Sequence, residues 1–172
     1  MNASARVLVV MGVSGVGKST IAHALAERLG WPFQEGDDLH PAANIAKMKA
    51  GHPLTDADRA PWLKAIGAWI DVLLDAGKSG VITCSALKRA YRDELDRSRP
   101  GVRFVFIQLA EPAVAERVAA RKGHFMPPSL LASQFADLEP PAPDDPVIVT
   151  DGAAPIEAQV DTVVAALGER GD

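Results

Sequence analysis

Sulfur and aromatic chemistry are scarce in this chain. Its 172 residues include one cysteine, Cys84, and one tyrosine, and aromatics reach only 5%. A lone thiol excludes an internal disulfide framework and suits a reducing compartment, so a cytoplasmic location is expected. No apolar run approaches the ~20 residues of a membrane span. The first residues lack the basic patch and long apolar segment of a signal peptide, so no membrane partner is expected. Repeats and low-complexity tails are also absent. Positive charge is in deficit, with 18 Lys and Arg against 22 Asp and Glu, a net charge of −4. A polyanion would meet general repulsion, which argues against nucleic acid as a partner but not against a small anion at a local basic site. The length suits a single domain spanning residues 1–172.

What the chain does have is concentrated near its start. Residues 12–19 read Gly-Val-Ser-Gly-Val-Gly-Lys-Ser, a complete G-x-x-x-x-G-K-[ST] phosphate-binding loop. It follows a continuously apolar run, 7–11, of the kind buried on both faces of a sheet. It precedes a helical pattern over 20–29, with Ile21, Leu25 and Leu29 on one stripe and Gly30 as the stop. Glycines let backbone N–H groups wrap a polyphosphate, and the helix N-terminus adds partial positive charge. Nucleotide contacts are therefore expected from Gly12, Val13, Ser14, Gly15, Val16, Gly17, Lys18, Ser19 and Thr20. Lys18 would reach the β- and γ-phosphates, and the Ser19 hydroxyl would sit on Mg²⁺. An ordinary Gly-rich turn is the bland alternative, and the strand–helix context opposes it.

Strand and helix patterns alternate along the rest of the chain. A short second strand ends near Phe33-Gln34-Glu35, followed by a polar stretch at 36–41 and a short helix over 42–50. Trp62, Ile66, Trp69, Ile70 and Leu73 mark another helix; Pro61 suits only a first turn, which puts the start near Asp58. Further strands are expected at 80–85, 103–109 and 146–150, with helices at 88–97, from Pro112 to just before Gly123, and at 156–167. The Pro- and acid-rich stretch 138–146 is too short for a domain linker and reads as an ordered connection. Such β–α succession implies an α/β fold, a parallel sheet with helices on both faces and ligands at the carboxyl ends of its strands.

Three absences narrow the phosphate chemistry. There is no Asp-x-x-Gly and no Asn-Lys-x-Asp, and the third strand ends in Thr-Cys-Ser without a carboxylate. GTPase switch and guanine-reading elements are thus missing, as is the usual strand-end metal carboxylate. The chain is also short for a motor or transporter ATPase. A small phosphotransferase remains, and it must keep water from the γ-phosphate, so a mobile lid is expected over about 121–140. Arg117 and Arg121 lie four apart on a helical pattern leading into Lys122-Gly123-His124-Phe125-Met126-Pro127-Pro128. Two guanidiniums on one face could clamp phosphate oxygens; a solvated helix face is the alternative.

More specific blocks recur in a fixed order. They are Gly36-Asp37-Asp38-Leu39-His40-Pro41 with Asn44 and Lys47-Met48, then the run 51–59 with Pro61-Trp62-Leu63. Cys84-Ser85-Ala86-Leu87-Lys88 with Tyr91-Arg92-Asp93, and Arg121-Lys122-Gly123-His124-Phe125 with Ser133-Gln134-Phe135, follow. With the phosphate loop, these segments resemble bacterial gluconate kinases from about residue 6 to 150. The resemblance implies a P-loop kinase fold with strand order 2-3-1-4-5, like that of shikimate and nucleoside monophosphate kinases. It implies transfer of the γ-phosphate of ATP to the 6-hydroxyl of D-gluconate, and often a homodimer. Departures are small: Val16 replaces a small polar residue, and Glu35 stands where many relatives carry Asp.

An acceptor site for gluconate needs at least one cation and several hydrogen-bonding groups. Asp37 is the candidate to orient the 6-hydroxyl and accept its proton, with a turn or cap aspartate as the alternative. Arg59, Lys88 and Arg92 are the candidate cations, and Lys88 is favoured over Arg92 because it follows the third strand directly. His40 and His52 could bond hydroxyls, while His124 could touch phosphate or gluconate or simply pack. Each could equally be a surface charge or structural histidine. Trp62 and Cys84 read as core, His23 carries no signal, and nothing near 150–152 identifies adenine readout. Competing readings are a kinase for another small hydroxy acid, such as shikimate, and a nucleotide-binding regulatory module without turnover.

Overall fold

The apolar run at the start of the chain becomes β1 (Val7–Met11), the fully buried middle strand of a five-stranded parallel sheet. The computed structural model describes residues 4–120 and 128–169. Four further strands, β2 (Phe33–Gln34), β3 (Gly80–Thr83), β4 (Val102–Gln108) and β5 (Val147–Asp151), complete the order β2-β3-β1-β4-β5. That is the order the resemblance implied. Val7 stands opposite both Gly80 and Val102, so β1, β3 and β4 run in register and their carboxyl ends form one rim.

Alternate residues of β1 feed two separate cores, as the period of a strand dictates. Leu8 and Val10 pack with Ile21 and Leu25 of α1 (Lys18–Leu29), Val114 of α5 (Glu111–Ala120), Leu131 of α6 (Pro128–Asp137) and Val163 of α7 (Ile156–Glu169). Val7, Val9 and Met11 pack with Trp62, Ile66 and Ile70 of α3 (Asp56–Asp75) and Leu95 of α4 (Arg89–Asp96). Helices therefore cover both faces. A turn of 3₁₀ helix (Gly36–Leu39) and α2 (Ala42–Lys49) lie between β2 and α3, on the polar stretch that follows the second strand.

One boundary departs from the sequence reading. Helix α3 starts at Asp56 rather than near Asp58, which leaves Pro61 inside the helix beyond its first turn. A reciprocal capping box outweighs the proline. The Thr55 N–H donates to Asp58 Oδ2 at 2.8 Å, and the Asp58 N–H donates to Thr55 Oγ1 at 3.1 Å. Residues 121–127 of the expected lid lie outside the described residues, and 128–137 form helix α6.

The capping box has a pH signature. Lys47 Nζ donates to Asp58 Oδ2 at 2.6 Å, and with the Thr55 N–H it holds the Asp58 carboxyl down at about 2, from 3.8. A depressed folded-state value contributes stability that is fully present above about pH 4. That contribution is lost as pH falls through about 2. Asp58→Asn should therefore lower Tm near neutrality, and the gap from the parent should narrow as pH drops from about 4 toward 2. A pH series of thermal melts checks this; a gap that is constant with pH would contradict it.

Candidate active site

The loop between β1 and α1 is shaped by backbone that only glycine adopts easily. Gly12, Gly15 and Gly17 have φ of 143°, 89° and 100°, and a Cβ on Gly15 would lie 2.7 Å from Val118 Cγ2. Gly17 is the N-cap of α1 in the left-handed conformation, and no side chain caps the helix there, so its first N–H groups face the loop's hollow. Val16 is buried in the core beneath the loop, which removes it from the phosphate side. Lys18 arches back over the loop, its Nζ donating to Gly12 O at 2.9 Å and Val13 O at 3.0 Å. The ammonium is thus held at the mouth of the cradle.

Two cavities meet at this loop. One, of about 420 Å³, is lined by Gly15, Gly17 and Thr20 of the loop, by Arg117, and by Gly152, Ala154, Ile156 and Gln159 beyond β5. Arg117 crosses its floor, donating from Nη2 to Gly152 O at 2.7 Å and from Nη1 to Val16 O at 3.3 Å. Gln159 is buried and fixed between Thr150 Oγ1 and Ala154 O. The flat guanidinium in a part-apolar slot suits a nucleobase. Arg117 thus lines the slot beside the loop, tied to the backbone of Val16 and Gly152. Arg121 and His124 lie outside the described residues.

The second cavity, also about 420 Å³, has Lys18 and Ser14 of the loop in its wall. Asp37, His40, Arg59, Trp62 and Gln134 line it, together with Ser85, Lys49 and several apolar residues. Asp37 projects from the 3₁₀ turn after β2, which is anchored by a glycine no larger residue could replace. A Cβ on Gly36 would meet Thr83 O at 1.7 Å. The Gly36 N–H donates to Thr83 Oγ1 at 2.9 Å, and Trp62 Nε1 donates to Gly36 O at 2.8 Å.

A hydrogen-bond chain sets the state of His40. Asn44 Nδ2 donates to Asp58 O at 2.8 Å and sits 3.2 Å from His40 Nδ1. A donor can only meet an acceptor, so Nδ1 accepts and the ring proton is assigned to Nε2. Nε2 lies 4.0 Å from Asp37 Oδ1, and the ring stacks on Trp62 with centroids 4.2 Å apart. Burial lowers the His40 pKa; nearby Asp37 opposes that shift and Arg59 adds to it. His40 thus presents a neutral N–H donor to the cavity.

Of the three candidate acceptor cations, Arg59 alone lines this cavity. It is buried, with Nη1 donating to Tyr91 Oη at 2.8 Å and to Asp137 Oδ2 at 3.2 Å. Lys88 instead pairs with Asp56 at 2.9 Å, and the Tyr91 hydroxyl donates to the same carboxylate. Tyr91 and then Lys88 hold the Asp56 carboxyl below its ordinary value, while Asp56 raises the Lys88 ammonium. Arg92 is buried and donates to Ala86 O at 2.9 Å and Glu139 O at 2.9 Å. His52 is exposed and is not among the lining residues, although the next two, Pro53 and Leu54, are. Cys84 is buried, and burial pushes its thiol up to about 12, which makes it an inert core residue.

Sequence reasoning gave no role to three residues that the fold brings here. Glu35 accepts from Ser19 Oγ at 2.6 Å and from Thr83 Oγ1 at 2.5 Å, so a carboxylate does face the loop serine, from β2 instead of β3. Its signals were its place two residues before Asp37 and the resemblance, in which many relatives carry Asp there. Gln134 and Lys49 gave none beyond membership in the quoted blocks or the short helix.

A phosphate loop with a base-sized slot on one side and an acid- and arginine-lined cavity on the other defines a P-loop kinase of small molecules. Residues 7–141 match the family model described as AAA domain. The chain is 55% identical over 152 residues to the gluconokinase of Gluconobacter oxydans (strain 621H), covering 88% of this chain and 85% of that one. It is 40% identical over 159 residues to the thermoresistant gluconokinase of Escherichia coli (strain K12), covering 92% and 91%. A solved gluconokinase from Sinorhizobium meliloti 1021 superimposes with a TM-score of 0.86 at 47% identity, over 98% of this chain and 94% of that one. The APS kinase CysC of Mycobacterium tuberculosis, at 20% identity and a TM-score of 0.71, shares the fold over 97% and 99%. The chain belongs to the gluconokinase family.

Proposed function

We infer that this protein transfers the γ-phosphoryl group of ATP to the 6-hydroxyl of D-gluconate. The observation that carries the reading is the second cavity, where Asp37, neutral His40 and buried Arg59 face Lys18 across a space of about 420 Å³. Arg59 suits the carboxylate of an aldonate, and the polar groups around it suit a row of hydroxyls. Asp37 orients the terminal hydroxyl, whose oxygen lone pair attacks the γ-phosphorus. The bond to the β–γ bridging oxygen breaks, ADP leaves, and the hydroxyl proton passes late to the Asp37 carboxylate. Lys18 and the loop N–H groups hold the charge that develops on the transferring group. Arg117 and the residues beyond β5 hold the adenine end.

The residues present also fit Mg²⁺. Ser19 Oγ and the Glu35 carboxylate stand 2.6 Å apart beside the loop. Among the described residues no group of three or more His, Cys, Asp or Glu forms a metal cage. Ser19 Oγ and the Glu35 carboxylate would hold the ion, and it would supply positive charge against that of the triphosphate. A homodimer rests on the family resemblance and is checked by light scattering. Among the described residues no helix is long and apolar enough to cross a membrane. The lone buried thiol fits a cytoplasmic setting.

The test is ADP release from Mg-ATP over a panel of gluconate, other aldonates, shikimate and nucleoside monophosphates. Gluconate-dependent turnover is the expected result. Turnover confined to another acceptor, or none with any, would overturn the reading.

A further inference from the structure

Helix α6 holds one group of each half-site from a single face. Gln134 reaches the donor loop: its Oε1 accepts from the Ser14 N–H at 2.7 Å, and its Nε2 donates to Ser14 Oγ at 3.2 Å. One turn further on, Asp137 accepts from Arg59, the buried cation of the acceptor cavity, at 3.2 Å. Residues three apart on a helix share a face, so both contacts come from one rigid element. Each helix oxygen rests on a donor suited to an anion. Ser14 N–H belongs to the phosphate cradle, and a guanidinium is the natural partner of a carboxylate.

Resting on the proposed function, we propose that α6 couples the two substrates through these contacts. Gln134 Oε1 stands in for a phosphate oxygen on Ser14, and Asp137 stands in for the acceptor carboxylate on Arg59. A triphosphate takes the Ser14 N–H by displacing Gln134, and gluconate takes Arg59 by displacing Asp137. Either displacement removes one of these two ties of the same helix, so the second then costs less. Each substrate should therefore raise the affinity for the other by the same factor. Gln134 and Asp137 are positioning residues in this scheme: they set how loop and arginine are held, and they leave the reacting atoms to Lys18 and Asp37.

Calorimetric titration of the full chain with an imido-bridged, non-hydrolysable ATP analogue tests this. Gln134→Ala removes the stand-in and should tighten the analogue by about 2- to 10-fold, the worth of one net hydrogen bond. Gln134→Glu keeps the shape but puts a charged acceptor on Ser14, which should weaken the analogue. A merely structural role would give the opposite for Ala, a loosened loop and weaker binding; weaker or unchanged binding in that variant overturns the proposal. With gluconate present, the parent should bind the analogue at least about 5-fold tighter, and this factor should fall toward one in Gln134→Ala. Equal coupling in parent and variant also overturns it. If the parent binds no gluconate, the functional reading fails instead, while the paired Ala and Glu titrations with analogue alone still decide the role of Gln134.

Discussion

Lys18→Ala should lower kcat by about 10²- to 10³-fold with little change in Tm, the scale expected when one preorganised donor to a developing anion is removed. The ammonium is already placed across the loop mouth by Gly12 O and Val13 O, on the wall of the acceptor-side cavity. Its charge therefore needs little reorganisation as the phosphoryl group moves. Arginine should not rescue, because a planar fork cannot make the same compact contact to both carbonyls and a phosphate. Steady-state turnover at saturating ATP and gluconate, beside a thermal melt, checks the expectation. Near-normal turnover in Lys18→Ala would refute the role given to the loop.

The second large effect belongs to Arg59. Truncation to alanine should raise the gluconate KM by roughly 10- to 100-fold, the worth of a charge-assisted hydrogen bond to a carboxylate, with a smaller change in the KM for ATP. Because Arg59 is buried on Tyr91 and Asp137, the alanine variant also loses packing. Arg59→Lys keeps a charge in the cavity and should fall between parent and alanine. Lys88→Met should move the gluconate KM far less, since the ammonium is committed to Asp56 outside the cavity. A larger effect at Lys88 than at Arg59 would mean that the acceptor's carboxylate sits elsewhere.

Legibility in the sequence followed the range of the interactions. The β1–loop–α1 unit was readable because every part of it is local: an apolar run, glycines with positive φ, a lysine and a helical stripe. Asp37 and His40 were readable for the same reason, since both follow β2 within a few residues. The choice among Arg59, Lys88 and Arg92 was not local. It depended on Tyr91, Asp56 and Asp137, which reach Arg59 and Lys88 from other helices, and on carbonyls that hold Arg92. Gln134 and Ser14 are 120 residues apart in sequence, and no periodicity announces such a pair. Arg117 was singled out by its spacing, but its tie to Gly152 O, 35 residues on, could not be read from that spacing. Pro61 misled in a different way, because a local capping box overrode the preference of proline for a first turn.

The most direct measurement is a phosphorus NMR spectrum of the chain incubated with Mg-ATP and D-gluconate. The account predicts one new phosphomonoester resonance, split into a triplet by the two protons of a primary carbon, that grows in step with ADP. Release of inorganic phosphate alone, or a doublet from a phosphorylated secondary hydroxyl, would contradict transfer to the 6-hydroxyl.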